Sequence, residues 1–184
     1  MIETTDPFSR ILIADPDKAY LSITTDLLQR EGYQCTSVRD GIEAYRALEA
    51  NEYHLLITEI NISGNEELEL VRATYRYAPE MPVIICTGHP SLRSAIAAIQ
   101  LSVMAYLIKP VEFSVLLHHI NVSIADYHDF KQRSYSEMKQ ADRLKSAIEE
   151  TIETLQSTRN SFKSKKLAAL RRKLERLLAL EQLK

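Results

Sequence analysis

The sequence predicts an α/β fold, a doubly wound sheet of five parallel strands, followed by a long α-helical extension with coiled-coil features. Within residues 10–125, five short apolar runs alternate with segments of helical periodicity, which is typical of βαβ units. Polar side chains gather directly after these runs rather than inside them. After Pro110 the chain has no proline, no glycine and no further apolar run of strand type, which favours long helices.

Each predicted strand is short, apolar and bounded by turn residues, as in sheets that are buried on both faces. The five are Ile11–Ala14, Tyr33–Val38, His54–Ile60, Val83–Cys86 and Ala105–Ile108. In the first helix, apolar residues recur at Ala19, Ile23, Leu27 and Leu28, and Gly32 ends it. The later helices are predicted at Ile42–Ala50, Glu66–Tyr77, Ser91–Leu101 and from near Glu112 onward.

Polar residues follow four of these strands at their carboxyl ends. Asp15 and Asp17 follow the first strand, and Glu59 ends the third. Thr87 follows the fourth strand and Lys109 follows the fifth. Ligands and reactive groups in doubly wound sheets lie at this edge, near the point where strand order reverses. The sequence therefore predicts one site that these residues share.

Charge divides the chain into two parts. Residues 1–130 carry 9 Lys and Arg against 18 Asp and Glu, a balance of −9. Residues 131–184 carry 14 against 7, a balance of +7. We therefore predict a domain over residues 1–125 and a basic helical or coiled-coil tail over residues 126–184. The tail has a partner of its own, or it lies against the acidic domain or a second copy.

Two leucine-rich stripes in the tail have coiled-coil spacing but differ in register by two residues. The first comprises Leu144, Ile148, Leu155 and Phe162, and the second comprises Leu167, Leu170, Leu174 and Leu177. The polar stretch between them, Ser157–Lys166, is a stutter in one long coiled coil or a turn between two helices. Dimerisation through a coiled coil, a self-packed hairpin and a free partner-binding helix all remain open.

Several classes of protein are not indicated by the sequence. No apolar run reaches the roughly 20 residues that a membrane span needs. The N-terminal residues lack the order of a signal peptide, and the two cysteines, Cys35 and Cys86, lie in predicted strands as free thiols. We therefore expect a cytoplasmic protein. The sequence has no dinucleotide-binding motif, P-loop or nucleophile triad, so we do not expect an enzyme.

Five stretches of the chain together resemble bacterial response-regulator receiver domains, which have a CheY-like or flavodoxin-like fold. They are "ILIADPDKAYL", "DGIEAYRAL", "YHLLITEINISG", "MPVIICTG" and "AYLIKP", and the resemblance covers residues 10 to about 125. It implies that Asp15 is the first acidic position, Thr87 the switch hydroxyl and Lys109 the phosphate-contacting lysine. It also implies that Tyr106 is the switch aromatic and that the Lys109-Pro110 peptide is cis.

Two departures from the family pattern bear on function. Glu59 stands where the family has its phosphate-accepting aspartate, and its carboxylate lies roughly 1.5 Å further out, one C–C bond. Misplacement on this scale can lower a rate about 100-fold. Pro16 replaces the second member of the acidic pair, which is a direct metal ligand in the family. The resemblance therefore implies an atypical receiver that acts without phosphorylation.

The longer side chain could reach Lys109 or Thr87 directly. A contact between Glu59 and Lys109 is then a relic, or it holds the domain in one signalling state. Asp15, Asp17 and Glu59 leave a weak Mg²⁺ site open, although no cofactor is required.

We predict a signalling protein that acts through protein–protein contacts, with a histidine kinase or a downstream effector as partner. The contact face comprises the fourth helix, the fifth strand and the start of the fifth helix. One alternative is a small transcriptional regulator that binds nucleic acid through basic residues of the tail, namely Lys163, Lys165, Lys166, Arg171, Arg172 and Lys173. A receiver that is phosphorylated on another carboxylate is the other alternative.

Overall fold

A computed structural model describes residues 9–65, 68–157, 169–170 and 172–176. The chain groups into two compact units, one ending at Asp129 and the other beginning at Phe130. The predicted domain boundary at residues 125/126 stays a prediction. Among the described residues, no helix has both the length and the apolar character that crossing a membrane requires.

The first unit contains a five-stranded parallel sheet of order β2-β1-β3-β4-β5. Its strands are β1 (Arg10–Ala14), β2 (Gln34–Val38), β3 (Leu55–Thr58), β4 (Val83–Thr87) and β5 (Ala105–Ile108). The order reverses at β1 and β3, which confirms the doubly wound topology. In register, Ile11 faces Leu55, Leu56 faces Val83 and Ile84 faces Ala105.

Five helices follow the strands in alternation. They are α1 (Lys18–Arg30), α2 (Gly41–Ala50), α3 (Glu69–Tyr77), α4 (Leu92–Gln100) and α5 (Phe113–Ser157). Side chains alternate between the two faces of the sheet, so each strand contributes to two cores. One core contains Leu12, Leu56 and Ile85 with residues of α2, α3 and α4. The other contains Ile11, Ile57 and Ile84 with residues of α1 and α5.

The predicted strands are confirmed, with two shorter than expected. Strand β2 begins at Gln34, one residue after Tyr33. Strand β3 ends at Thr58, because the backbone carbonyl of Glu59 accepts hydrogen bonds from the Thr58 hydroxyl and from the Asn65 side chain. These contacts turn the chain away from the sheet, so Glu59 lies just beyond the strand.

The apolar face predicted for the first helix was wrong in part. Leu28 is buried as expected, but Ile23 is 60% exposed. The buried face of α1 comprises Leu21, Thr24 and Leu28, which are spaced three and four residues apart. Thr24 is therefore buried in the core, although hydrophobicity alone predicts that the neighbouring Ile23 would be.

Helix α5 is 45 residues long and continues from the first unit into the second. In the first unit this helix packs through Leu116, Ile120 and Ile124, which are buried. Residues 169–170 and 172–176 are also helical. The predicted extension is therefore helical in its described residues. Phe162, Leu167 and Leu177 lie outside the described residues, as do Lys163, Lys165, Lys166 and Arg171 of the basic cluster and the side chain of Leu155.

Within the second unit, apolar residues of α5 differ in exposure. Leu144 is 62% exposed, whereas Ile152 is only 8% exposed. Apolar side chains of this helix therefore differ in how far they are shielded from solvent.

Candidate functional site

The carboxyl edge of the sheet brings together four of the predicted site residues. Asp15 follows β1, Glu59 follows β3, Thr87 ends β4 and Lys109 follows β5. Asp15, Glu59 and Thr87 are all buried, with 2%, 4% and 0% of their surface exposed. Buried charges in such a place need partners, and these residues supply one another.

The first oxygen of the Glu59 carboxylate, Oε1, accepts three hydrogen bonds. The backbone N–H groups of Ile60 and Asn61 donate at 2.7 and 3.1 Å. The Thr87 hydroxyl donates at 2.5 Å. The loop after β3 and the end of β4 therefore converge on a single carboxylate oxygen.

The second oxygen of the Glu59 carboxylate, Oε2, accepts two more hydrogen bonds. The backbone N–H of Gly88 donates at 2.9 Å, and the Lys109 ammonium donates at 3.3 Å. Five donors thus surround one buried carboxylate, and the residues that carry them lie at or just beyond the ends of three strands. Both carboxylate oxygens of Glu59 therefore accept hydrogen bonds within the site.

These contacts also set the acidity of Glu59. Burial by itself raises the pKa of this carboxyl group. Hydrogen bonds from Thr87, Gly88 and Asn61, together with the charge of Lys109, outweigh that effect and lower the pKa to about 2. Glu59 is therefore ionised throughout the physiological range.

Lys109 links Glu59 to Asp15. Its ammonium forms an ion pair with Asp15 Oδ2 and a second with Glu59 Oε2 at 3.3 Å. The predicted cis peptide between Lys109 and Pro110 is confirmed. Lys109 therefore joins the residues that follow β1 and β3 at the carboxyl edge of the sheet.

Tyr20 is a site residue that the sequence reasoning missed. The Lys109 ammonium lies 4.0 Å from the centroid of its ring, within cation–π distance. Its hydroxyl lies 3.1 Å from Cys86 Sγ, and burial raises the pKa of both groups above their ordinary values. The available signal was an aromatic residue in the first turn of the helix that follows Asp15.

Asp17 does not join the other acids. Its carboxylate accepts the backbone N–H groups of Ala19 and Tyr20 at 2.8 and 3.3 Å, so it caps the N-terminus of α1. Within the described part of the chain, no group of three His, Cys, Asp or Glu side chains is arranged to hold a metal ion. With Pro16 offering no ligand, the residues present do not fit the Mg²⁺ site that the family implies.

Tyr106 lies on β5 and contacts α4 rather than the carboxylates. Its hydroxyl lies 2.8 Å from the Ser94 hydroxyl. Ser94 also forms a capping box with Ser91 at the start of α4. The predicted switch aromatic is therefore tied to the first turn of the neighbouring helix.

Comparisons with known proteins agree with this fold. The family model described as the response regulator receiver domain matches residues 11–121. The chain is 31% identical over 113 residues to the transcriptional regulatory protein GlrR of Escherichia coli K12, a match covering 61% of this chain and 26% of that protein. It is 27% identical over 122 residues to the DNA-binding transcriptional regulator NtrC of the same strain, covering 66% and 26%. The matches thus span about a quarter of these relatives.

Among solved structures, the chain resembles a CheY-like receiver domain protein from Methanospirillum hungatei JF-1. The TM-score is 0.64 at 29% identity, covering 66% of this chain and 98% of the other. This likeness and the family match over residues 11–121 agree with the observed fold. The chain belongs to the response regulator receiver domain family.

Proposed function

We propose that this chain is an atypical receiver that signals without phosphorylation and acts through protein–protein contacts. One observation carries the proposal: the Glu59 carboxylate already engages Thr87 and Lys109. The resemblance assigns those two residues to an incoming phosphoryl group. A built-in negative group thus satisfies the same donors permanently.

The geometry supports one fixed state of the switch. Thr87 donates to Glu59 at 2.5 Å, and the next residue, Gly88, donates at 2.9 Å, so the loop after β4 is drawn towards the carboxylate. A ligand shifts a two-state equilibrium only by its differential affinity for the two states. Since Glu59 is covalently part of the chain, its contacts bias the domain at all times.

The output surface in this proposal is the face of α4 and β5. Helix α4 exposes Leu92, Ile96 and Ile99, whose exposed fractions are 78%, 47% and 78%. Ile108 at the end of β5 is 55% exposed. Apolar side chains that are exposed together are typical of binding surfaces. The Tyr106–Ser94 hydrogen bond connects this face to the strand that precedes Lys109.

The partner in this proposal is a signalling protein, a histidine kinase or a downstream effector, and the domain has no enzymatic activity of its own. We also propose that the tail forms a homodimer. Phe130, Tyr135, Met138 and Leu144 of the second unit are each more than 40% exposed, an apolar surface that a second copy could cover. Cytoplasmic location stays a prediction.

The test is capture of partners from a lysate of the source cells with the full chain. We expect a protein to be retained, and Ile99→Glu to abolish its retention. The matched control is Ile42→Glu, which adds the same charge at a position of α2 that is 54% exposed. A chain truncated after Phe130 separates the contribution of the tail.

Two outcomes would contradict the proposal. Retention that Ile99→Glu leaves unchanged would move the output away from α4. Retention that needs the tail, brings down nucleic acid and disappears in high salt would favour the nucleic-acid-binding alternative.

A further inference from the structure

The Lys109 ammonium occupies the space between the two buried acids. It contacts Asp15 Oδ2 and Glu59 Oε2, the two carboxylate oxygens that face each other across the site. The side chains of Lys109, Asp15 and Glu59 are 17%, 3% and 4% exposed. The ring of Tyr20 covers the ammonium at 4.0 Å from its centroid. The ammonium is thus enclosed by two anions and one aromatic face.

The other oxygens of these acids are also in use. Asp15 Oδ1 accepts the backbone N–H of Asp17 at 3.0 Å. Glu59 Oε1 accepts the donors of Ile60, Asn61 and Thr87. Mg²⁺ requires a near-octahedral shell of oxygens at about 2.0–2.1 Å and retains several waters. Each of the four carboxylate oxygens already accepts at least one hydrogen bond, so a metal ion at this pair would compete with these donors.

We infer that Lys109 is the resident cation of this site and that divalent ions compete with it instead of binding beside it. Two carboxylates and one ammonium leave a charge of −1, which the surrounding N–H groups and the Thr87 hydroxyl stabilise. A divalent cation added at the same oxygens would lie next to the ammonium and be repelled by it. Asp17, the third acid predicted at this site, is committed to capping α1.

This arrangement makes the receiver insensitive to magnesium. It also predicts a latent metal site, because removing the ammonium leaves two buried carboxylates without a counter-ion. The test of Lys109 as the resident cation measures metal binding at the site. Its failure is therefore distinguishable from a failure of the proposed signalling role, which is read by partner capture.

The experiment uses the full chain with Mn²⁺ as a paramagnetic probe. Broadening of the amide resonances of Asp17, Asn61 and Gly88 reports an ion at the site. We expect no broadening of these resonances in the wild-type chain. In Lys109→Met we expect broadening, with Mn²⁺ bound more tightly than by the wild type by about tenfold or more. Lys18→Met, the same change at an exposed lysine of α1, serves as the matched control and should behave as wild type.

Thermal melting provides a second readout, since an ion that binds only the folded state raises the melting temperature. MgCl₂ should raise the melting temperature of Lys109→Met and leave the melting temperature of the wild type unchanged. The double variant Lys109→Met/Glu59→Gln should show no such rise in melting temperature, because it has lost one of the two carboxylates that would bind the ion. If Lys109→Met does not fold, Lys109→Gln replaces it, as its amide retains a donor for one carboxylate.

Either of two results would overturn the inference. One is a wild-type chain that binds Mn²⁺ at these amides as tightly as the lysine variant. The other is a folded lysine variant that gains no affinity.

Discussion

At the scale of single residues, Glu59 is buried and accepts five hydrogen bonds, so both its charge and its length stabilise the domain. Glu59→Gln removes one of the two carboxylates that pair with Lys109 and places an amide N–H₂ group among existing donors. We expect the free energy of unfolding to fall by about 3 kcal/mol, the lower end of the range for removing one partner of a buried ion pair, because Lys109 keeps Asp15. Denaturant unfolding measures it, with the exposed Glu112→Gln as control. Equal stability of the two variants would contradict the role of Glu59.

The acidity of Glu59 gives a second prediction at this scale. Its pKa is about 2 in the folded chain and 4.5 ordinarily, so folding favours the ionised form. The resulting stabilisation is fully present above pH 4.5 and is lost as the pH falls towards 2. It amounts to about 3 kcal/mol for the difference between these pKa values. Stability measured from pH 6 to 2 should therefore converge between wild type and Glu59→Gln, whereas parallel curves would show that the pKa is not lowered.

At the scale of elements, α2 lies against the loop that follows β3. This loop carries the Ile60 and Asn61 N–H groups that donate to Glu59. A Cβ atom at Gly41 would come within 2.3 Å of the Gly64 carbonyl oxygen, so Gly41→Ala must displace backbone. We expect a loss of about 1–3 kcal/mol, as for overpacking, and shifted amide resonances at Ile60 and Asn61. Gly32→Ala is the comparison, because Gly32 has φ +95° and no neighbouring atom within 4 Å. It should lose stability without moving those resonances.

The elements also show how far sequence reasoning reaches. The apolar runs of β1, β4 and β5 predicted their positions to within a residue, because strands buried on both faces are continuously apolar. The carboxyl-edge residues followed from topology. Tyr20 and the capping role of Asp17 were not predicted, because side-chain direction depends on where α1 begins. The exposure of Ile23 was missed for a related reason, since periodicity alone does not show which face of α1 packs against the sheet.

At the scale of the whole molecule, the apolar surface of the second unit predicts a dimer. Light scattering on the full chain should give about twice the 21.0 kDa of the monomer, and on a chain truncated after Phe130 a monomer. Leu144→Glu should weaken the dimer, because Leu144 is 62% exposed in the single chain and a charge there opposes burial. Gln132→Glu introduces the same charge at an exposed position of α5 and is the control. A monomeric full chain would contradict the prediction.

The central claim is that Glu59 fills the place of a phosphoryl group, and the amide spectrum of the full chain tests it most directly. Beryllofluoride with Mg²⁺ imitates a phosphoryl group on an acceptor carboxylate. The account predicts that adding it leaves the resonances of Thr87, Gly88 and Tyr106 unmoved, whereas Glu59→Gln shifts them. Saturable shifts of those three resonances in the wild-type chain would show that the site still accepts a phosphoryl group, and would contradict the account.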